Sequence, residues 1–248
     1  MSRLSKKITR IQRREGGGFG FGLAHREQPR AMLLGVFTSD VNGITQAATA
    51  GADVIIVSGK NAAKAIKDAA AKDVAVGAQV DALDGANADA LHEAGCDFVV
   101  STLAATDATA VDTDRMGQVI SPDGTLDDTT LRALGPMGLD AIFVAHDGGA
   151  MTLLQQLELV RVASFASTPL MVTVAADAPI GELRVLRDSG TAVVVAPEGT
   201  SADALTELGE RLRQIPTPKR GRDNGRDMAI VPAMSNHHEE EADESEEI

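Results

Sequence analysis

One short pattern is written four times in this chain, and it constrains the fold more than any other feature. It reads Gly51-Ala-Asp-Val-Ile-Ile-Val-Ser58, then Gly95-Cys-Asp-Phe-Val-Val-Ser101. It returns as Gly138-Leu-Asp-Ala-Ile-Phe-Val-Ala145 and as Gly190-Thr-Ala-Val-Val-Val-Ala196. Each copy follows an Ala/Leu-rich run of helical character. Each places glycine where a helix must stop, because glycine reaches the left-handed conformation without a Cβ clash. Each continues into a short apolar run, the mark of a strand buried on both faces. Four more apolar runs alternate with these: Met32–Phe37, Val74–Val80, Met116–Ile120 and Leu170–Val174.

Eight strands separated by helices leave two arrangements, a closed (β/α)8 barrel or a doubly wound open sheet. The repeat has a period of about 43 residues, and only closure demands equivalent units, so the pattern predicts the α/β class and a single TIM barrel. The barrel is expected over residues 30–215. Residues 1–29 read as a basic arm and a Gly-rich loop, and residues 216–248 as a linker and a disordered acidic tail. Both termini are expected outside the core. The link from Leu103 to Arg115 is Ala/Thr/Asp-rich and makes the poorest helix. Leu153, Leu154, Leu157 and Val160 fall at helical spacing within the longest helix, and Thr200-Ser-Ala-Asp203 reads as the cap of the last one.

The net charge of −13 is unevenly placed. Arg3, Lys6, Lys7, Arg10, Arg13 and Arg14 occupy the first 14 residues without an acid, and seven acids crowd residues 239–247. The acidic body repels phosphate backbones, and 2% aromatic content offers no platform for stacking bases. No nucleic-acid partner is expected, and the basic residues read as a solubilising arm. The lone Cys96 reads as a buried structural thiol. No apolar run reaches membrane-spanning length, so a cytoplasmic location is expected, with a small-molecule ligand and room for a homo-oligomer.

The segments Ala50–Val57, Ala94–Val100 and Ser189–Val195 resemble those of aldolase-type TIM barrels. The resemblance covers roughly residues 31–215. It points loosely to the branch of inosine-monophosphate-dehydrogenase-like and nitronate-monooxygenase-like proteins, and Gly138–Gly149 is similar to a nitronate monooxygenase strand ending in Gly-Gly-His. That branch holds a phosphate on backbone amides after strands seven and eight. This chain has Ala175-Ala176-Asp177 and Ala196-Pro197-Glu198 there. Pro197 lacks an amide donor, and both acids repel phosphate, so flavin is not expected. Gly199 and Thr200 remain as an anion nest at the start of the last helix.

In a barrel of this kind function sits at the C-terminal ends of the strands. There the sequence places Asp40, Asp81, Asp123 and Asp177 after odd-numbered strands, and Asp147 and Glu198 after even-numbered ones. Asp81, Asp123, Asp177 and Glu198 are the candidate ligands of a divalent metal, Mg or Mn, because carboxylate oxygens suit hard cations. Lys60, His146 and Asp147 are the candidate catalytic groups, as Schiff-base amine or proton carriers. Ser58, Ser101, Thr102, Gly199 and Thr200 are the candidate substrate-binding residues. Asp81, Asp123 and His146 are expected to point to the axis, with Lys60 within reach across the opening. The competing reading makes each acid a helix N-cap. Two functions follow: a metal-assisted lyase or isomerase of a small carbonyl or carboxylate compound, or a non-catalytic barrel serving as a scaffold. A flavin oxidoreductase is a third.

Overall fold

Alternating apolar side chains on parallel strands demand cover on both faces, and here closure supplies it. The computed structural model describes residues 1–14, 30–69, 71, 73–110, 112–146 and 148–216. The strands are β1 (Leu33–Thr38), β2 (Val54–Val57), β3 (Ala75–Gln79), β4 (Phe98–Thr102), β5 (Gly117–Ser121), β6 (Ala141–Val144), β7 (Leu170–Thr173) and β8 (Thr191–Ala196). They form a closed parallel barrel in chain order. β8 returns to β1 with Leu33 opposite Val193 and Gly35 opposite Val195, which excludes the open sheet. The helices are α1 (Arg3–Arg14), α2 (Val41–Thr49), α3 (Ala62–Ala69), α4 (Gly85–Glu93), α5 (Asp128–Leu134), α6 (Leu153–Ala166), α7 (Ile180–Asp188) and α8 (Ala202–Arg213). The glycines opening the repeats have φ of 82° (Gly51), 87° (Gly95), 71° (Gly138) and 89° (Gly190), the left-handed region expected of them.

The period-two alternation sorts each strand into two cores. Leu33, Val54, Ile56, Phe98, Val100, Val119, Phe143, Met171 and Val193 fill the barrel interior. Ile55, Val57, Val76, Val99, Ile142, Val172 and Val194 face outward to the helices.

The basic arm is the first departure. Residues 3–14 form a helix whose Leu4 and Ile8 are buried in the interior core. α1 plugs the N-terminal end of the barrel, so this terminus belongs to the core. Polar groups at its start are matched one by one. Arg3 N–H donates to Asp97 Oδ1 at 2.7 Å and Leu4 N–H to Asp97 Oδ2 at 2.9 Å. Ser5 N–H donates to Ser2 Oγ at 2.9 Å, and Ser2 Oγ–H donates to Asp140 Oδ2 at 2.5 Å. Three otherwise orphaned helical N–H groups are thus satisfied. Asp97 and Asp140 are the aspartates of the second and third repeats. Asp53, from the first, accepts from Arg30 Nη1 at 2.9 Å and from Leu34 N–H at 3.1 Å. The recurring Gly-x-Asp therefore builds the closed end of the barrel, remote from its mouth.

Burial raises the Asp140 carboxyl above its ordinary range, opposed by the Ser2 hydroxyl and reinforced by the Asp97 charge. Between the ordinary value and the raised one, the folded chain holds more protons than the unfolded chain. Stability should therefore fall as pH rises through that window and level off above it. Asp140→Asn keeps an acceptor for Ser2 and removes the titration. We expect this variant to be at least as stable as the parent at neutral pH and to lose that part of the slope. Urea titrations across the acid range read the result, and an unchanged slope would refute the assignment.

Two helices differ from expectation. Between β4 and β5 the chain makes only a short 3-10 turn, Ala108–Ala110. The outer wall there is polar: Ser101 Oγ accepts from Gln118 Nε2 at 2.8 Å and lies 2.8 Å from Thr106 Oγ1, whose own hydrogen goes to Thr102 O. A helix there would meet a wall that is polar beside Val99. α6 is reversed. Leu159, Val162 and Ala166 face the core, while Leu153, Leu154, Leu157 and Val160 are exposed. The Gly-rich loop with Phe19 and Phe21, and the expected linker and tail beyond residue 216, lie outside the described residues.

Candidate functional site at the barrel mouth

Carrying the interior alternation one step past the core names the residues that line the mouth: Ser58, Gln79, Thr102, Ser121 and Thr173. All are half-buried. Beneath them Phe37 and Phe143 meet edge to face, with ring centroids 5.7 Å apart. The inner ring is therefore neutral, made of hydroxyls and an amide over an aromatic floor.

The acids stand further out. Strands end at Gln79, Ser121, Thr173 and Ala196, leaving Asp81, Asp123, Asp177 and Glu198 in the following turns, all exposed. Asp123 Oδ2 accepts from Ala104 N–H at 3.1 Å and ties down the β4–β5 link. Among the described residues no three His, Cys, Asp or Glu side chains converge as a metal ion needs. These four acids are thus not gathered as a ligand set. None of the four caps a helix. Asp40 does cap α2, through Gly43 N–H at 2.7 Å. Elsewhere among the described residues Asp84, Asp127, Thr152 and Ser201 serve as capping side chains, as Ser2 does for α1. Replacing Asp40 by Ala should cost about 1 kcal/mol of unfolding free energy. Asp81→Asn should stay within about 0.5 kcal/mol. Equal losses in chemical denaturation would show that Asp81 carries a structural contact.

Ser101 leaves the candidate list. It has the outward parity of Val99, is 1% exposed, and serves the Gln118–Thr106 network. Thr102 does reach the mouth, its carbonyl accepting from Thr106 Oγ1 at 2.5 Å. The Gly199–Thr200 nest is largely occupied from within. Thr200 N–H and Oγ1–H both donate to Pro197 O, at 3.4 and 2.7 Å. The capping of α8 falls to Ser201, whose Oγ accepts from Ala204 N–H at 3.2 Å. Gly199 and Thr200 still line a cleft of about 380 Å³ with Asp40 and Glu198, between the β8 and β1 ends.

Lys60 and Asp81 border the same cleft. With Ser58, Gln79 and Asn87 they line a cleft of about 520 Å³ between the β2 and β3 ends. His146 is separated from them, since β6 and β2 are diametrically opposite in the closed order. The His146 backbone is clamped by Thr173. Its N–H donates to Thr173 Oγ1 at 2.6 Å, and Thr173 Oγ1–H donates to His146 O at 3.0 Å. Its Nε2 lies 3.3 Å from Gly149 O. Glu182, in the first turn of α7, faces this rim. Burial raises its carboxyl, His146 opposes the shift and Asp177 adds to it. Asp147 lies outside the described residues. Cys96 is buried and hydrogen-bonded to Phe98 O, and burial pushes its thiol up to about 12, as an inert structural residue requires.

Gln79, Ser121, Thr173 and Glu182 were absent from the sequence-based candidates. The first three were legible by counting in twos from the interior core. Glu182 had no such signal, because it reaches the mouth from a helix.

No protein-family model matches the chain, and no curated protein matches it. Solved structures do. 3-Keto-L-gulonate-6-phosphate decarboxylase from Vibrio cholerae is 15% identical, with a TM-score of 0.58 over 74% of this chain and 99% of its own. Phosphoribosyl anthranilate isomerase from Thermus thermophilus is 12% identical, with a TM-score of 0.56 over 74% and 99%. An HpcH/HpaI aldolase from Desulfitobacterium hafniense is 13% identical, with a TM-score of 0.54 over 75% and 94%. At such identity the likeness establishes the (β/α)8 TIM-barrel fold. Among the described residues no helix is long and apolar enough to cross a membrane.

Proposed function

We propose that this chain is a barrel lyase or isomerase acting on a small carbonyl or carboxylate compound, bound in the cleft between the β2 and β3 ends. The observation that carries the reading is Lys60 and Asp81 lining one cleft with Ser58, Gln79 and Asn87. Its volume suits a small ligand. An ammonium, a carboxylate and neutral hydrogen-bonding groups are what enolisation requires. Asp81 takes a proton from the carbon next to the carbonyl, and the electron pair moves to the carbonyl oxygen. Lys60 pairs with that oxyanion, while Ser58 and Gln79 orient the ligand. Where the deprotonated carbon carries a hydroxyl, its O–H proton passes to the oxyanion and Asp81 returns the abstracted proton to the former carbonyl carbon, which completes an isomerisation. In a lyase reaction the bond to a carbon fragment, such as the carboxylate of a β-keto acid leaving as CO2, breaks instead of the C–H bond; its electron pair gives the same oxyanion, which is then protonated on carbon. The four exposed acids do not fit a resident metal, so no step is routed through one. Likeness to a decarboxylase, an aldolase and an isomerase is compatible with this chemistry.

The scaffold reading draws on the opposite rim. Arg211 donates to Ala178 O at 2.7 Å and to Ala176 O at 2.6 Å, which aims these carbonyls at α8. Pro197 beside them supplies no backbone N–H, and Asp177 and Glu198 would repel a phosphate there, which speaks against a flavin oxidoreductase. The two readings separate in deuterium oxide with pyruvate, oxaloacetate and dihydroxyacetone as probes. We expect the protein to accelerate deuterium entry next to the carbonyl of at least one. Lys60→Met and Asp81→Asn should each slow it by roughly a hundredfold or more. Absence of exchange with all three, or exchange that survives both substitutions, favours the scaffold.

A further inference from the structure

Four of the six large apolar side chains that stand exposed among the described residues lie on one face of α6. Leu153, Leu154, Leu157 and Val160 are 79%, 76%, 62% and 36% exposed. Spaced as i, i+1, i+4 and i+7, they form one stripe, opposite Leu159, Val162 and Ala166, which pack on the barrel. Scattered apolar residues are ordinary on a surface, but a continuous row marks a contact.

We propose that a second copy of this chain covers the stripe, with α6 packed antiparallel on α6 about a two-fold axis near Leu157. Three observations select this occupant. The first is shape. The stripe is a row along a helix of 14 residues, and a row of this kind is complementary to its own rotated copy. The second is charge. The chain carries −13 overall, but the acids beside this stripe have cations among them: Arg161 pairs with Glu158 at 2.7 Å and Asp128 at 2.5 Å, and Arg132 lies over the Phe165 ring. Two acidic molecules meet here with less repulsion than their net charge would otherwise impose. The third is area. The four side chains supply a few hundred Å² of apolar surface, enough for the centre of the ~800 Å² per partner that a stable dimer needs. α5 packs beside α6, and Met137, in the 3-10 turn that follows α5, is a further exposed apolar side chain. α6 begins directly after the turn carrying His146 and Gly149, so the same contact steadies one rim of the mouth.

Sedimentation of the full chain over a range of concentrations tests the proposal. The parent should be dimeric, and Leu154→Glu with Leu157→Glu should raise its dissociation constant at least ~100-fold while leaving the far-ultraviolet circular dichroism unchanged. Lys64→Glu, on the exposed side of α3, should leave the dimer intact. Leu157→Cys should give an oxidised dimer, since Cys96 is buried and will not compete. This conservative variant decides the matter if the double substitution fails to fold. A parent that stays monomeric, a dimer indifferent to both variants, or a monomer that uses the stripe to bind phosphatidylcholine vesicles would each overturn the proposal.

Discussion

Replacing Leu4 and Ile8 together by alanine is expected to bring this barrel close to unfolding. Leu4 is fully buried and Ile8 is 3% exposed, both within the interior core. Truncation of a buried leucine or isoleucine to alanine costs about 2–5 kcal/mol at each site. The whole stability of a domain is only about 5–15 kcal/mol. The pair therefore removes a large share of it, from a helix a sequence reading assigns to a dispensable arm. Lys6→Gln and Arg10→Gln, on the exposed face, should change stability by no more than about 0.5 kcal/mol. Asp97→Ala should fall between these extremes, at about 1–2 kcal/mol, because two helical N–H groups lose their acceptor. Urea unfolding of the four variants orders these effects. Limited proteolysis gives a second reading. If a protease removes the first 14 residues and the core keeps its melting temperature, the plug contributes nothing and the account of the closed end is wrong.

That result bears on how far a sequence of this kind can be read. Strand number, closure and the left-handed glycines were legible because they rest on local periodicity and on one repeated unit. The role of α1 was not legible, because six basic residues dominated its composition. Its three apolar positions, Leu4, Ile8 and Ile11, were the signal that mattered. The repeated aspartates of Gly-x-Asp lie at strand starts, away from the strand ends where a barrel carries its chemistry, so nothing in the sequence marks them as the groups that close the barrel. At the mouth, the sequence-based reading assumed that an acid following a strand joins the layer above the barrel. Two or four further residues carry Asp81, Asp123, Asp177 and Glu198 into exposed turns instead. α6 misled for a different reason. It is apolar on both faces, and periodicity alone does not say which face meets the barrel.

The second large effect joins packing to the proposed cleft. Gly77 lies in β3 directly under the Phe98 ring. A Cβ added at Gly77 would sit 2.5 Å from Phe98 Cε2 and Cζ. Phe98 is fully buried, so the ring has nowhere to move. Gly77→Ala should therefore cost about 1–3 kcal/mol by overpacking. Phe98→Leu should cost about 1–2 kcal/mol by leaving a void, less than the 3–5 kcal/mol of full truncation. Combined, each change relieves the other, since the added methyl group enters space that the ring has left. The double variant should be more stable than the sum of the single effects by at least about 1 kcal/mol. The same cycle reads the site. Gln79 follows Gly77 on the same face of β3, and Asp81 follows two residues later at the cleft. A strand pushed by Gly77→Ala displaces both, so deuterium exchange on the active probe should fall with the single variant and recover in the double. Single effects that simply add within about 0.5 kcal/mol would mean that ring and glycine are not coupled. Recovery of stability without recovery of exchange would separate the packing from the cleft and remove β3 from the proposed chemistry.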